Sequence, residues 1–183
     1  MFKRSLCIVF LCFIGLLTSC QKQQEARKPL STSRSVETKL SIDRNIELRE
    51  SEDDLFAKYR TEDTANTYIH SNTGFWYTYV SRAVKDSIRP QKSDIVQYTY
   101  EVRQVNDSII YTTNEIGRLT YKVDEEDILP VLRHSLKMLK PTESIKVLSP
   151  SSLAYSYLGD QKAITKNQPL VFIISLESIK KSN

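Results

Sequence analysis

The chain has 183 residues, with 26 lysines and arginines against 22 aspartates and glutamates, 3 cysteines, 4 glycines and 10 tyrosines. That length suits one domain with attachments or two small domains, and a net charge of +4, spread evenly, is too weak for a nucleic-acid-binding face. Three cysteines cannot all pair, His70 and His134 are too few to complete a zinc cluster, and no dinucleotide fingerprint or phosphate loop is present.

Residues 1–19 divide into a short positive end, Lys3 and Arg4, and an uncharged apolar run over 6–17. Twelve residues make roughly 18 Å of helix, short of the roughly 30 Å hydrocarbon core, so the segment reads as an export signal rather than a permanent span. Its end, Leu17-Thr18-Ser19-Cys20, resembles the lipobox of bacterial lipoproteins. A signal peptide with an ordinary cleavage site is the alternative. The resemblance implies a lipid on Cys20 and a cut before it, which removes Cys7 and Cys12 and lowers the formal charge from +4 to +2. Several acyl chains on Cys20 would hold the protein to a membrane. Gln21, rather than Asp, implies sorting to the outer membrane, facing the periplasm.

Residues 20–39 are polar and read as a flexible tether. Residues 40–72 are dense in charge, from Asp43 and Arg44 to Lys58, with Ile42, Ile46, Leu55, Phe56 and Tyr59 at helical spacing. So thin a stripe predicts a surface helix that packs weakly, or one that meets a partner. His70 receives no role.

The folded domain is expected over 73–183, where Gly74, Pro90, Asn106-Asp107, Gly117, Pro130, Pro141, Pro150, Gly159 and Pro169 separate short segments. Period-two alternation marks strands at Phe75, Tyr77 and Tyr79, at Val96, Tyr98, Tyr100 and Val102, at Leu119, Tyr121 and Val123, and at Ile145 and Val147. Residues 170–176 are apolar on nearly every position, as in a central strand covered on both faces. Asn106-Asp107 predicts a hairpin. Leu132, Leu136 and Leu139 predict one short helix, with Asp127 as its cap, Pro130 in its first turn, Glu125 and Glu126 favouring its N-terminal dipole, and His134 on its exposed side. The architecture expected is α+β: an antiparallel sheet of five to six strands wrapped over one short helix.

Several strings, in order and spacing over 73–180, resemble the FKBP-type peptidyl-prolyl isomerases. They are Val96-Gln97-Tyr98-Thr99, Asp127-Ile128-Leu129-Pro130-Val131-Leu132, Pro150-Ser151-Ser152-Leu153-Ala154-Tyr155, Ile164, and Pro169-Leu170-Val171-Phe172. With Gly74-Phe75-Trp76-Tyr77 and the lipobox, the layout most resembles the gliding-motility-associated isomerase lipoproteins of Bacteroidota. The resemblance implies Tyr155, Tyr98 and Phe172 as catalytic residues, Tyr155 supplying a hydroxyl to a substrate carbonyl. It implies Ile110, Leu119, Ile128, Leu129, Leu132 and Ile164 as substrate-binding residues; on pattern alone each apolar member is ordinary core. Ile110-Tyr111 stands where the family usually has Phe-Asp, so that acid is expected to be missing. Leu132 replaces a common tryptophan, and Leu119 a usual phenylalanine.

Rotation about an X–Pro bond breaks no bond, so the expected chemistry needs no cofactor, metal or nucleophile. The partners implied are proline-containing exported polypeptides and the membrane. A catalytically weak FKBP-like binding or chaperone module of the envelope is the other reading. Asp63-Thr64-Ala65, Asp86-Ser87-Ile88 and Asp107-Ser108-Ile109 also resemble the short O-glycosylation motif of Bacteroidota exported proteins, a tripeptide that arises readily by chance.

Overall fold

The computed structural model describes residues 31–83 and 88–182. The signal segment, Cys20 and Asp86-Ser87 lie outside those residues. In chain order the elements are α1 (Ser31–Glu62), β1 (Ile69–His70), β2 (Trp76–Ser81), β3 (Ile95–Gln104), β4 (Ile109–Tyr111), α2 (Thr113–Ile116), β5 (Leu119–Lys122), α3 (Pro130–Met138), β6 (Ser144–Ser149), a 3-10 turn (Ser151–Leu153) and β7 (Leu170–Lys180). The chain divides into two units, Met1–Lys39 and Leu40–Asn183, and the sheet lies in the second. Among the described residues no helix is long and apolar enough to cross a membrane.

The strands form one seven-stranded sheet in the order β1-β2-β6-β7-β3-β4, with β5 also pairing β3, and every pairing is antiparallel. The two-residue β1 extends the sheet ahead of Thr73 and takes the strand count past the expected five or six. β7 is central, flanked by β6 and β3, and its alternation sends side chains to two separate cores. Leu170, Phe172, Ile174 and Leu176 join Val96, Tyr98, Val102, Ile145 and Val147 on one face, which α3 covers with Val131, Leu132 and Leu136. Between Gln97 and Tyr98 the register against β7 slips past Glu177. That bulge lets both Leu176 and Ile179 reach the same core despite their odd spacing.

The opposite face carries the second core. Leu148 and Val171, paired across β6 and β7, pack against Phe56 and Tyr59 of α1, with Tyr68, Trp76 and Val105 around them. The charged helix is therefore part of the fold, contrary to the weak packing expected of it. Phe56 is 1 % exposed, whereas Leu55, Ile42 and Ile46 remain in solvent. Two large side chains suffice because the sheet's back offers apolar residues directly beneath them, each burial contributing about 1.5–3 kcal/mol. Polar ties follow the same face. The Tyr59 hydroxyl donates to Asp107 Oδ1 at 2.8 Å in the β3–β4 turn, Lys146 Nζ lies 3.2 Å from Asp63 Oδ2, and the Arg60 guanidinium sits 3.7 Å from the Trp76 ring centre.

Helix α1 already begins at Ser31, inside the stretch read as a tether. No glycine or proline interrupts residues 30–73, and Lys39/Asp43, Arg49/Asp53, Asp54/Lys58 and Lys58/Glu62 fall at i, i+4. The start of α3 also differs from expectation. Its N-cap is Leu129, with no side-chain cap, and Pro130 takes the first helical position. Glu126 accepts from the Lys122 amide and Glu125 pairs with Lys122 at the β5 end, while Asp127 pairs with Arg133 of α3, so none of the three caps the helix N-terminus. His134 is half-buried rather than on an exposed face, and burial, followed by Lys137 and Arg133, holds its pKa below the usual value.

Candidate active site

Extended backbone in β3 places Tyr98, Tyr100 and Val102 on the α3 side of the sheet. Tyr98 stands opposite Leu119 of β5 and Leu176 of β7, and Phe172 stands opposite both Val102 and Val147. The turn into α3 brings Ile128 and Leu129, and the first helical turn brings Leu132. The chain after the 3-10 turn supplies Ala154 and Tyr155, and the loop before β7 supplies Ile164. All nine of the sequence-expected site residues from Tyr98 to Phe172 therefore meet in one apolar cluster.

They do so at two depths. Tyr98 (2 % exposed), Leu132, Ile164 and Phe172 (0 %) are closed in. Ile110, Leu119, Ile128, Leu129 and Tyr155 are half-buried. The aromatic rings touch in sequence: Tyr98 and Tyr100 stack at 6.2 Å with 15° between planes, and Tyr100 lies 6.2 Å from Phe172.

Tyr100 and Tyr111 also pack in this cluster, and Asp160 is bonded to the second of them. Tyr100 lies close enough to Tyr155 to raise the pKa of its hydroxyl. The Tyr111 hydroxyl donates to Asp160 Oδ2. Asp160 Oδ1 in turn accepts from the amides of Lys162 at 2.9 Å and Ile164 at 2.8 Å. Position 111 carries a tyrosine, and a carboxylate from a different loop, Asp160, accepts its hydroxyl. Tyr100 lay in the alternating run and was legible as site-facing. Asp160 gave no signal, since its partner is 49 positions away.

Electrostatics set the protonation of these groups. Burial, then Tyr100 and Asp160, raise the pKa of Tyr155, so its hydroxyl stays a donor across the physiological range. Burial first, then Tyr100 and Glu126, pushes Tyr98 up to about 12. At Asp160 burial opposes ionisation, but the Tyr111 hydroxyl and three backbone amides outweigh it and hold the carboxyl below its usual value. Gly159 makes the loop possible. Its φ is +64°, and a Cβ there would lie 2.2 Å from the Ile164 carbonyl oxygen.

The sequence profile described as FKBP-type peptidyl-prolyl cis-trans isomerase matches residues 86–177, just over half of the chain and the whole of this site. The chain belongs to that family. The FKBP-type assignment agrees with the fold. Among solved structures, 142 chains match. One is a peptidyl-prolyl cis-trans isomerase of Pseudomonas syringae pv. tomato, 18 % identical, covering 73 % of this chain and 94 % of that one with a TM-score of 0.58. Another is FkpA of Escherichia coli, 21 % identical, covering all of this chain and 84 % of that one with a TM-score of 0.56. At these identities the likeness shows the fold. The search of curated proteins returned no match.

Proposed function

We propose that this FKBP-type isomerase is lipid-anchored through Cys20 and accelerates X–Pro isomerisation in exported cell-envelope polypeptides, at the outer membrane facing the periplasm. The lipobox string and Gln21 support the anchor and its location. The resemblance of the whole layout to gliding-motility-associated lipoproteins supports envelope clients linked to gliding.

The barrier to rotation is about 18–20 kcal/mol because amide resonance stiffens the C–N bond. A twisted, less conjugated amide is favoured where water is excluded, and a rate gain of 10⁴ needs only about 5.4 kcal/mol of differential binding. In our reading the prolyl ring rests on the floor of Tyr98, Leu132, Ile164 and Phe172, within the rim of Ile110, Leu119, Ile128 and Leu129. Tyr155 donates to a substrate carbonyl and fixes it while the ring turns. The observation that carries this reading is a half-buried Tyr155 packed into the same apolar cluster as the closed-in Tyr98, Leu132, Ile164 and Phe172. A protease-coupled assay on X–Pro peptides with the full-length chain in detergent tests it. We expect a rate well above buffer; a rate equal to buffer across several X residues refutes it.

A second reading, a chaperone-like module that binds polypeptide without turning it, is favoured by Tyr157 (66 % exposed) and Leu158, which stand in solvent just beyond Tyr155. Suppression of aggregation that is lost in Tyr157→Ser/Leu158→Ser, with no isomerase activity, would select it.

A further inference from the structure

Glu52 is an outlier on its helix. It is a carboxylate in a run of solvent-facing charges, yet it is 4 % exposed. Charge burial of this kind is costly unless the group makes specific bonds. Its Oε1 accepts the Ser151 amide at 3.0 Å. Burial, the larger influence, still leaves its pKa raised. The bond spans 99 positions of sequence and joins α1 to the first residue of the 3-10 turn.

Ser151 is also the residue from which the Tyr155 backbone hangs. Its carbonyl accepts the Ala154 amide at 3.0 Å and the Ser156 amide at 2.8 Å, the two amides on either side of Tyr155. The Tyr155 carbonyl accepts from Gly159 at 3.1 Å, and the Ser156 carbonyl accepts from Asn167 at 2.9 Å, so the segment is tied down beyond the tyrosine as well. The amide that Glu52 holds and the carbonyl that brackets Tyr155 belong to the same residue, with only its Cα between them. A shift of Ser151 therefore reaches the backbone on both sides of Tyr155 directly.

We infer that Glu52 is a positioning residue for the isomerase site, holding Ser151 so that its carbonyl fixes Tyr155 in the apolar cluster of the site. This rests on the role given to Tyr155 above. The helix thus belongs to the catalytic apparatus although, among the described residues, none of its side chains joins the apolar cluster of the site. A small misplacement of one donor is enough to matter, because the donor acts only when aligned with the carbonyl it holds.

The test is a double-mutant cycle read as kcat and KM in the full-length chain. Glu52→Ala is expected to lower kcat about fivefold to tenfold with KM changed less than twofold, since the apolar residues of the site are untouched. Glu52→Gln keeps an acceptor for the Ser151 amide and is expected to stay within twofold of wild type. It also serves as the folded comparison if the alanine variant melts early. In a Tyr155→Phe background, Glu52→Ala is expected to cost nothing further. Three results overturn the inference alone: wild-type kcat in Glu52→Ala, an equal loss in Glu52→Gln, or the same fold-loss in both backgrounds. Wild-type activity in Tyr155→Phe overturns the donor role, and this inference with it.

Discussion

Replacing Phe56 by alanine removes the aromatic ring that covers Leu148 and Val171 on the back of the sheet. Complete burial puts a Phe→Ala change in the range of about 3–5 kcal/mol, the transfer of the ring plus the cavity it leaves. The lower end is expected, because Tyr68 and Val105 beside it are only half-buried and can settle inward. With a urea m-value of about 2 kcal/mol/M, a loss of about 3 kcal/mol moves the unfolding midpoint down by about 1.5 M. Trp76, the one tryptophan in the chain, packs against this cluster and reports on it by fluorescence, while circular dichroism follows the fold as a whole. Coincident transitions, both shifted, are expected. Leu55→Ala, one residue away but facing solvent, should move the midpoint by less than 0.3 M, an effect of about 0.5 kcal/mol or less. A Phe56→Ala shift as small as that of Leu55→Ala would refute the claim that α1 is built into the domain.

The remaining predictions concern the site and the polar ties. Tyr155→Phe should lower kcat at least tenfold with an unchanged melting profile, about 1.4 kcal/mol of lost transition-state interaction; Tyr111→Phe should lower it less and loosen the 160–164 loop, seen as faster amide exchange at Ile164. Gly159→Ala, at φ +64° and against the Ile164 carbonyl, should destabilise the fold by at least about 2 kcal/mol in urea unfolding. At Asp63, burial opposes ionisation, but hydrogen bonds from Asn66, Tyr68 and Lys146 outweigh it and lower its pKa from 3.8. Its contribution is therefore present above that value and lost as pH falls through the folded one, so the urea midpoint of Asp63→Asn should depend less on pH below 4 than that of wild type. Glu52 has the opposite sign: its raised pKa means its contribution is present below 4.5 and lost as pH rises through the folded value, so Glu52→Gln should be at least as stable as wild type at pH 7.

Most of the sheet was legible because burial on one face leaves a period of two. Val96, Tyr98, Tyr100 and Val102 all point to the core as their alternation requires, and the unbroken apolar run of β7 reflects its two covers. The bulge at Glu177 could not be read, since it is a mismatch between two strands rather than a property of either. In α1 the pattern named Phe56 and Tyr59 but could not separate them from Leu55, Ile42 and Ile46; only the apolar back of β6 and β7 decides which side is buried. Glu52 looked like one more solvated charge, because a buried carboxylate is distinguished by a partner 99 positions away. The site's apolar residues were reached through family resemblance, while Asp160 and its bond from Tyr111 depend on loop geometry that spacing does not encode.

The two-sided cover of β7 has a consequence for where this domain can be cut. The family match runs over 86–177, yet β2, which pairs with β6, and the α1 residues over Leu148 and Val171 all lie before it. A fragment beginning at Thr73 would keep every candidate site residue and bare an apolar strip along two central strands. Silence from such a fragment would report on an exposed sheet prone to association, leaving the chemistry of the pocket unexamined.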